Sequence, residues 1–313
     1  MAAQVETGVY NSDRGLPWHR LGVGRTGFMT AEEVLREAGL DWTVEKRPLW
    51  TTNDVPVPDH FAICRTTDDK PLGVVGNRYE PAQNAVVLSL MDEVIGTGRA
   101  LYDTAWSLRG GQTVAITAEL TDEIEPAAGE KIKTYLTAMN NHDGRGQIRY
   151  VVSPVRVVCM NTLAMAVNGA KYTWVKKHTK NAMSDANVVE AREALQLAAQ
   201  YQAYVDTVAR ELLSEAFSSQ QMGKLAKKLI LTSADPSKQQ LESAASLMAT
   251  YTTSEDLDNI RGTKWGALQA VAEWADHKQR YIGKNASDSR TTSILLGRAA
   301  DVKTEAYELL TAA

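Results

Sequence analysis

Cysteine is almost absent from this 313-residue chain, which holds only Cys64 and Cys159. Two thiols build neither a disulfide framework nor a four-thiolate zinc site, and they suit a reducing compartment. The five histidines, His19, His60, His142, His178 and His277, lie far apart and in no short metal-ligand spacing, so neither a metal nor a cofactor is expected. No apolar run approaches the roughly 18 residues of a membrane span. The opening MAAQVETGVYNSD has neither the basic start nor the apolar core of a secretion signal. A soluble, cytoplasmic protein without membrane contact is the expectation. Phosphate-loop, nucleophile-elbow and H-E-x-x-H patterns are missing too, which gives no ground for expecting an enzyme.

What is present is an ordinary globular composition, 44% hydrophobic and 23% charged, enough for one large core or two smaller ones. The net charge of -4 conceals a partition. Residues 1–140 balance to -7 and residues 181–313 to -3, whereas residues 141–180 balance to +6. Arg145, Arg149, Arg156, Lys171, Lys176, Lys177 and Lys180 stand there against the single acid Asp143. Counterion release depends on local contacts, so an acidic protein can still bind a polyanion at such a segment. The same segment can equally face acidic surface of its own chain or of an identical subunit.

The pattern predicts an α+β fold: an N-terminal mixed antiparallel-sheet domain with helices over 1–180, then a helical bundle over 181–313. Thr30 followed by Glu33 is a capping box that opens TAEEVLREA, and Gly39 stops it. WTVEKRPLW, HFAICRT and PLGVVG read as strands. A helix starts at Pro81, a tolerated first position. Hairpins follow, ALYDTAWSL with QTVAITAEL and KIKTYLTAMN with QIRYVV, then a helix from about Val157 and a basic strand, KYTWVKKH. Apolar residues from Val188 to Leu212 recur at three and four, a long helix that should pack on other helices or on a second subunit.

Four motifs invite chemistry. GVGRTG, Gly22–Gly27, has the spacing of a dinucleotide loop but neither the preceding buried strand nor the helix opening on it, so a plain loop is expected. Asp143-Gly144-Arg145-Gly146 reads as a hairpin turn sooner than as an anion nest. Glu273, Asp276 and His277 in EWADH offer an acid/base or metal set, or else a surface pair four residues apart. In KYTWVKKHTK, Tyr172 and Trp174 share one strand face and lysines take the other. That is either an ordinary amphipathic strand or a platform on which bases stack while ammonium groups hold phosphates.

PWHRLG, AGLDWTVEKRPLW, LGVVGNRYEPAQN, SLRGG, NNHDGRGQIRYVVSPVRVVCMNTLAMAV, TKWGALQAVAEWADH and LLGRAADVKTEAYELL keep their order along nearly the whole chain. Together they resemble the phage/plasmid-like family of unknown function found in actinobacterial phages and plasmids. The resemblance implies a mobile-element protein acting in a bacterial host cytoplasm and supplies no activity. The three strands from QTVAITAEL to QIRYVV with a following helix are also similar in order to the core of single-strand annealing proteins of the RecT and Red-beta type, an analogy of fold alone. The expected function is binding of single-stranded nucleic acid, with a strand-annealing or recombination accessory role and homo-oligomerisation. Phosphate contacts fall to Arg145, Arg149, Arg156, Lys171, Lys176, Lys177 and Lys180, and base stacking to Tyr172 and Trp174. The competing expectation is a non-enzymatic self-assembling or host-interaction protein.

Overall fold

The computed structural model describes residues 5–14, 22–95, 101–156, 161–162, 173–182, 184, 187, 189–191, 193, 198–231, 233, 235–278 and 298–312. They form N-terminal sheets with a few helices, followed by a helical C-terminal region. The sequence pointed to one cut near residue 180. The contacts instead give two compact units that interleave along the chain. One holds residues 1–121, 135–152 and 172–198; the other holds residues 122–134, 153–171 and 199–313.

The first unit is built on β1 (Val5–Asn11), β2 (Val23–Arg25), β6 (Leu101–Leu108) and the bases of β7 (Thr113–Ala127), β8 (Glu130–Asn141) and β9 (Ile148–Arg156). They run in the order β9-β8-β7-β6-β1-β2, with β11 (Thr173–Lys176) antiparallel to β9. A second sheet orders β3 (Val44–Trp50), β4 (Pro56–Arg65) and β5 (Pro71–Gly76) antiparallel around β4. Arg65 joins this sheet to β1. Its guanidinium donates to both carboxylate oxygens of Glu6 at 2.8 Å and to Asp68 at 2.9 and 2.6 Å, and it lies over the Trp42 ring. A buried arginine needs such forked partners to offset its lost hydration.

The first unit also holds α1 (Ala31–Glu37), which packs on β1, β6 and α2, and α2 (Asn84–Ile95). The Thr30 capping box is present with both reciprocal hydrogen bonds. α2 begins three residues later than Pro81, because Gln83 is engaged elsewhere. Its side chain accepts from the Val44 N–H at 2.9 Å and donates to the Val44 carbonyl at 2.8 Å, which keeps residues 81–83 docked along β3. GVGRTG is also more than a loop. Val23–Arg25 is strand β2, parallel to β1, and Arg25 pairs with Glu33 and Glu37.

The second unit receives the far end of the β7–β8 hairpin and the end of β9, on which β10 (Asn161–Thr162) pairs. The helix expected from about Val157 is therefore a strand at these two residues; residues 157–160 and 163–172 lie outside the described part. Its helices are α3 (Ala198–Ser214), α4 (Ser219–Ile230), α5 (Lys238–Thr253), α6 (Lys264–Glu273) and α7 (Arg298–Thr311). Ser218 with Gln221 and Ser237 with Gln240 form capping boxes that open α4 and α5. Every residue of α6 from Trp265 to Glu273 is buried, as befits a helix apolar around most of its circumference. Glu130 accepts from the Trp265 indole N–H at 2.8 Å, giving the hairpin end a polar link to α6.

Candidate nucleic-acid interface

At one end of the first unit the β8–β9 turn, Asn141–Gln147, is held by buried polar groups. Asn84 at the start of α2 donates to the Leu40 carbonyl at 3.1 Å, so its Oδ1 is the acceptor. That oxygen lies 3.0 Å from His142 Nε2 and 3.3 Å from Asn140 Nδ2, and Asn140 also donates to the Ala82 carbonyl at 2.9 Å. The pattern puts the imidazole proton of His142 on Nε2. His178 takes the same tautomer, since its Nδ1 accepts from the Ala82 N–H at 3.4 Å, which leaves the ring proton on Nε2. Burial pushes the His142 ring down to about 3, with His178 as a second cause. His178 is pushed down to about 4 by burial, against the opposing pull of Asp143. Both rings are neutral at pH 7.

The same residues bring three chain segments together. Tyr79 stacks on His178 with ring centroids 4.8 Å apart and donates to the Asn141 carbonyl at 3.0 Å. The Glu80 N–H donates to the His178 carbonyl at 3.1 Å. Lys46 donates to the carbonyls of Asn77 and Tyr79 at 2.8 and 2.9 Å. β11 runs antiparallel to β9 with Lys176 opposite Ile148, so residues after Lys176 fall beside the β8–β9 turn. Gly144 supplies a positive φ of 77° to that turn, and a Cβ there would stand 2.7 Å from Val75 of β5. Asp143 accepts from the backbone N–H groups of Arg145 and Gly146, which closes the turn from within.

This arrangement sorts the residues expected from sequence. Arg145, Lys177 and Lys180 are exposed and lie at this end, with no ion pair among the described residues. Arg78, in the adjoining loop, is exposed in the same way and was not anticipated, because it stands outside the basic window. Arg149 is half-buried within β9 and reaches Gln147. Lys176 pairs with Glu190 at 2.6 Å. Glu80 is an exposed acid in the same neighbourhood. Trp174 is 3% exposed and packs against Tyr150, ring centroids 5.5 Å apart, so its face belongs to the core and is not offered to a base. The inward half of an amphipathic strand is the physical reason. Lys171, Tyr172 and the side chain of Arg156 lie outside the described residues.

In the second unit EWADH departs from a regular helix. The turn Trp274–Lys278 is a π-helix, so the four-residue spacing of Glu273 and His277 does not align them as an α-helix would. Nor are the acids on the surface. Glu273 accepts from the Ser254 hydroxyl at 2.7 Å, and Asp276 binds Lys303 of α7 at 2.7 Å with both side chains 2% exposed. Among the described residues no group of three or more histidine, cysteine or acidic side chains is disposed to hold a metal ion. Nor is any described helix long and apolar enough to cross a membrane.

The exposed cations Arg145, Lys177 and Lys180 lie on the β8–β9 turn and just after β11, inside the stretch matched by a family described as Domain of unknown function (DUF932), residues 71–312. The chain belongs to the DUF932 family. No curated protein and no solved structure gives a significant match. The DUF932 region begins at β5 and takes in the turn, both buried histidines and all described helices from α2 onward, while β3 and β4 precede it.

Proposed function

We propose that this DUF932 protein binds single-stranded nucleic acid at the end of its first unit, as a phage- or plasmid-encoded accessory of strand annealing or recombination. The observation that carries the reading is the gathering of Arg78, Arg145, Lys177 and Lys180, exposed and without acid partners among the described residues, around one turn held by buried polar groups. Cations on such a support hold a phosphate backbone without much loss of side-chain freedom elsewhere, and no bond need be made or broken. Oligomerisation would extend the track from subunit to subunit.

Titration of a fluorescent single-stranded oligonucleotide over a range of salt concentrations tests the reading. Four engaged phosphates give a log–log slope near -3, at roughly 0.7 per phosphate. Replacing Lys177 and Lys180 together by glutamate should flatten the slope by about 1.4 on the same rule. Binding that is absent, or indifferent to salt, would remove the proposal.

A further inference from the structure

We infer that the β3–β4 hairpin is a base-contacting arm and that Trp50 supplies the stacking ring which Trp174 cannot; this rests on the interface reading above. Trp50 is 59% exposed, an unusual position for the largest side chain in the repertoire. The last pairing of β4 with β5 is His60 with Gly76, whereas Trp50 pairs with Pro56, so Trp50 and the turn Thr51–Val55 lie beyond the end of β5. That is the end at which the chain leaves β5 for Asn77–Glu80, the loop that carries Arg78 and touches His178.

The hairpin is shaped for projection. Pro48 faces Phe61 and Trp50 faces Pro56, so four residues of β4, Val57–His60, stand opposite Leu49 alone. Such a bulge twists and re-aims the strand beyond it. Asp59 in the bulge and Asp54 in the turn hold positive φ values of 59° and 58°. The turn is closed by hydrogen bonds between Thr51 and Val55. Pro48, Pro56 and Pro58 remove amide donors from the ribbon, which blunts pairing with another strand.

The charge pattern selects the occupant. Residues 48–60 contain no lysine or arginine, and Asp54 and Asp59 are exposed. Phosphates are repelled from the tip and attracted to Arg78, Arg145, Lys177 and Lys180 at its root. A single strand lying across this end therefore turns its backbone to the root and its bases toward the arm, where an indole face stacks on any base.

The test compares the unaltered chain with Trp50→Ala and Trp50→Phe, each against a thymidine oligonucleotide and an abasic oligonucleotide of equal length. Trp50→Ala should weaken thymidine binding about 5- to 150-fold, leave the abasic strand and the salt slope unchanged, and be largely rescued by phenylalanine. Equal thymidine affinity for Trp50→Ala and the unaltered chain overturns the arm while leaving the interface intact. So does a parallel loss on the abasic strand. If the unaltered chain shows no salt-dependent binding to either strand, the interface reading itself fails.

Discussion

The two neutral histidines make acid sensitivity a property of single side chains. His142 and His178 sit at about 3 and about 4 in the folded protein, below the ordinary value of about 6.5 that an unfolded chain shows. The unfolded state therefore binds more protons throughout that window, and stability present above pH 6.5 is lost as the pH falls toward the folded values. Each ring should withdraw about 2 kcal/mol between pH 7.5 and pH 5. Glu6 contributes in a separate window. Its hydrogen bonds to Arg65 hold it at about 2, so its share disappears only below pH 4.5. Denaturant midpoints at pH 7.5 and pH 5 should fall steeply for the unaltered protein and about half as steeply for His178→Gln. Equal midpoints at the two pH values would contradict the burial of both rings.

At the scale of elements, α6 packs closely on the backbone of the turn before it. A Cβ on Gly266 would stand 2.3 Å from the Ile260 carbonyl oxygen, a backbone atom that cannot swing aside. Gly266→Ala, although it favours helix locally, should cost about 1–3 kcal/mol through overpacking, read as a lowered thermal midpoint. A midpoint at or above that of the unaltered chain would show that the Ile260–Arg261 turn yields. Gly266 also shows where sequence reasoning stops. Its neighbours Trp265, Ala267 and Leu268 announce a buried helix by composition, but the contact with Ile260 depends on tertiary placement. The Thr30 box, the hairpin strands and β11 were legible because their signals are local: a cap spacing, an alternation, a turn glycine. The late start of α2 was not, since it follows from Gln83 reaching Val44 across 39 residues. The π-turn after Glu273 was equally hidden. Its i→i+5 bonding leaves no spacing mark, and the Asp276–Lys303 pair that it serves joins two helices separated by 27 positions.

For the whole molecule, the difference between total and local charge becomes measurable. The chain has a pI near 5.8 and is anionic at pH 7.5, yet the cationic end of the first unit should retain it on immobilised heparin. Lys177→Glu with Lys180→Glu should elute earlier from heparin and later from an anion exchanger; unchanged heparin elution would mean that retention arises elsewhere. The charge partition of the sequence located Arg145, Lys177 and Lys180 because they fall in one window. It could not locate Arg78 or Trp50, which reach that neighbourhood through β5 and β3, nor foresee that Trp174 turns inward and that Lys176 meets Glu190. The close approach of β5 to the β8–β9 turn carries a last consequence. A Cβ on Gly73 would lie 2.4 Å from the Asp143 carbonyl oxygen, so the strand that leads to the arm and the loop that bears Arg145 share one fixed spacing. A nucleic acid that engages both would be measured by it: the number of nucleotides from the stacked base to the clamped phosphate is set by the protein, and protection footprints should shorten or lengthen in whole-nucleotide steps.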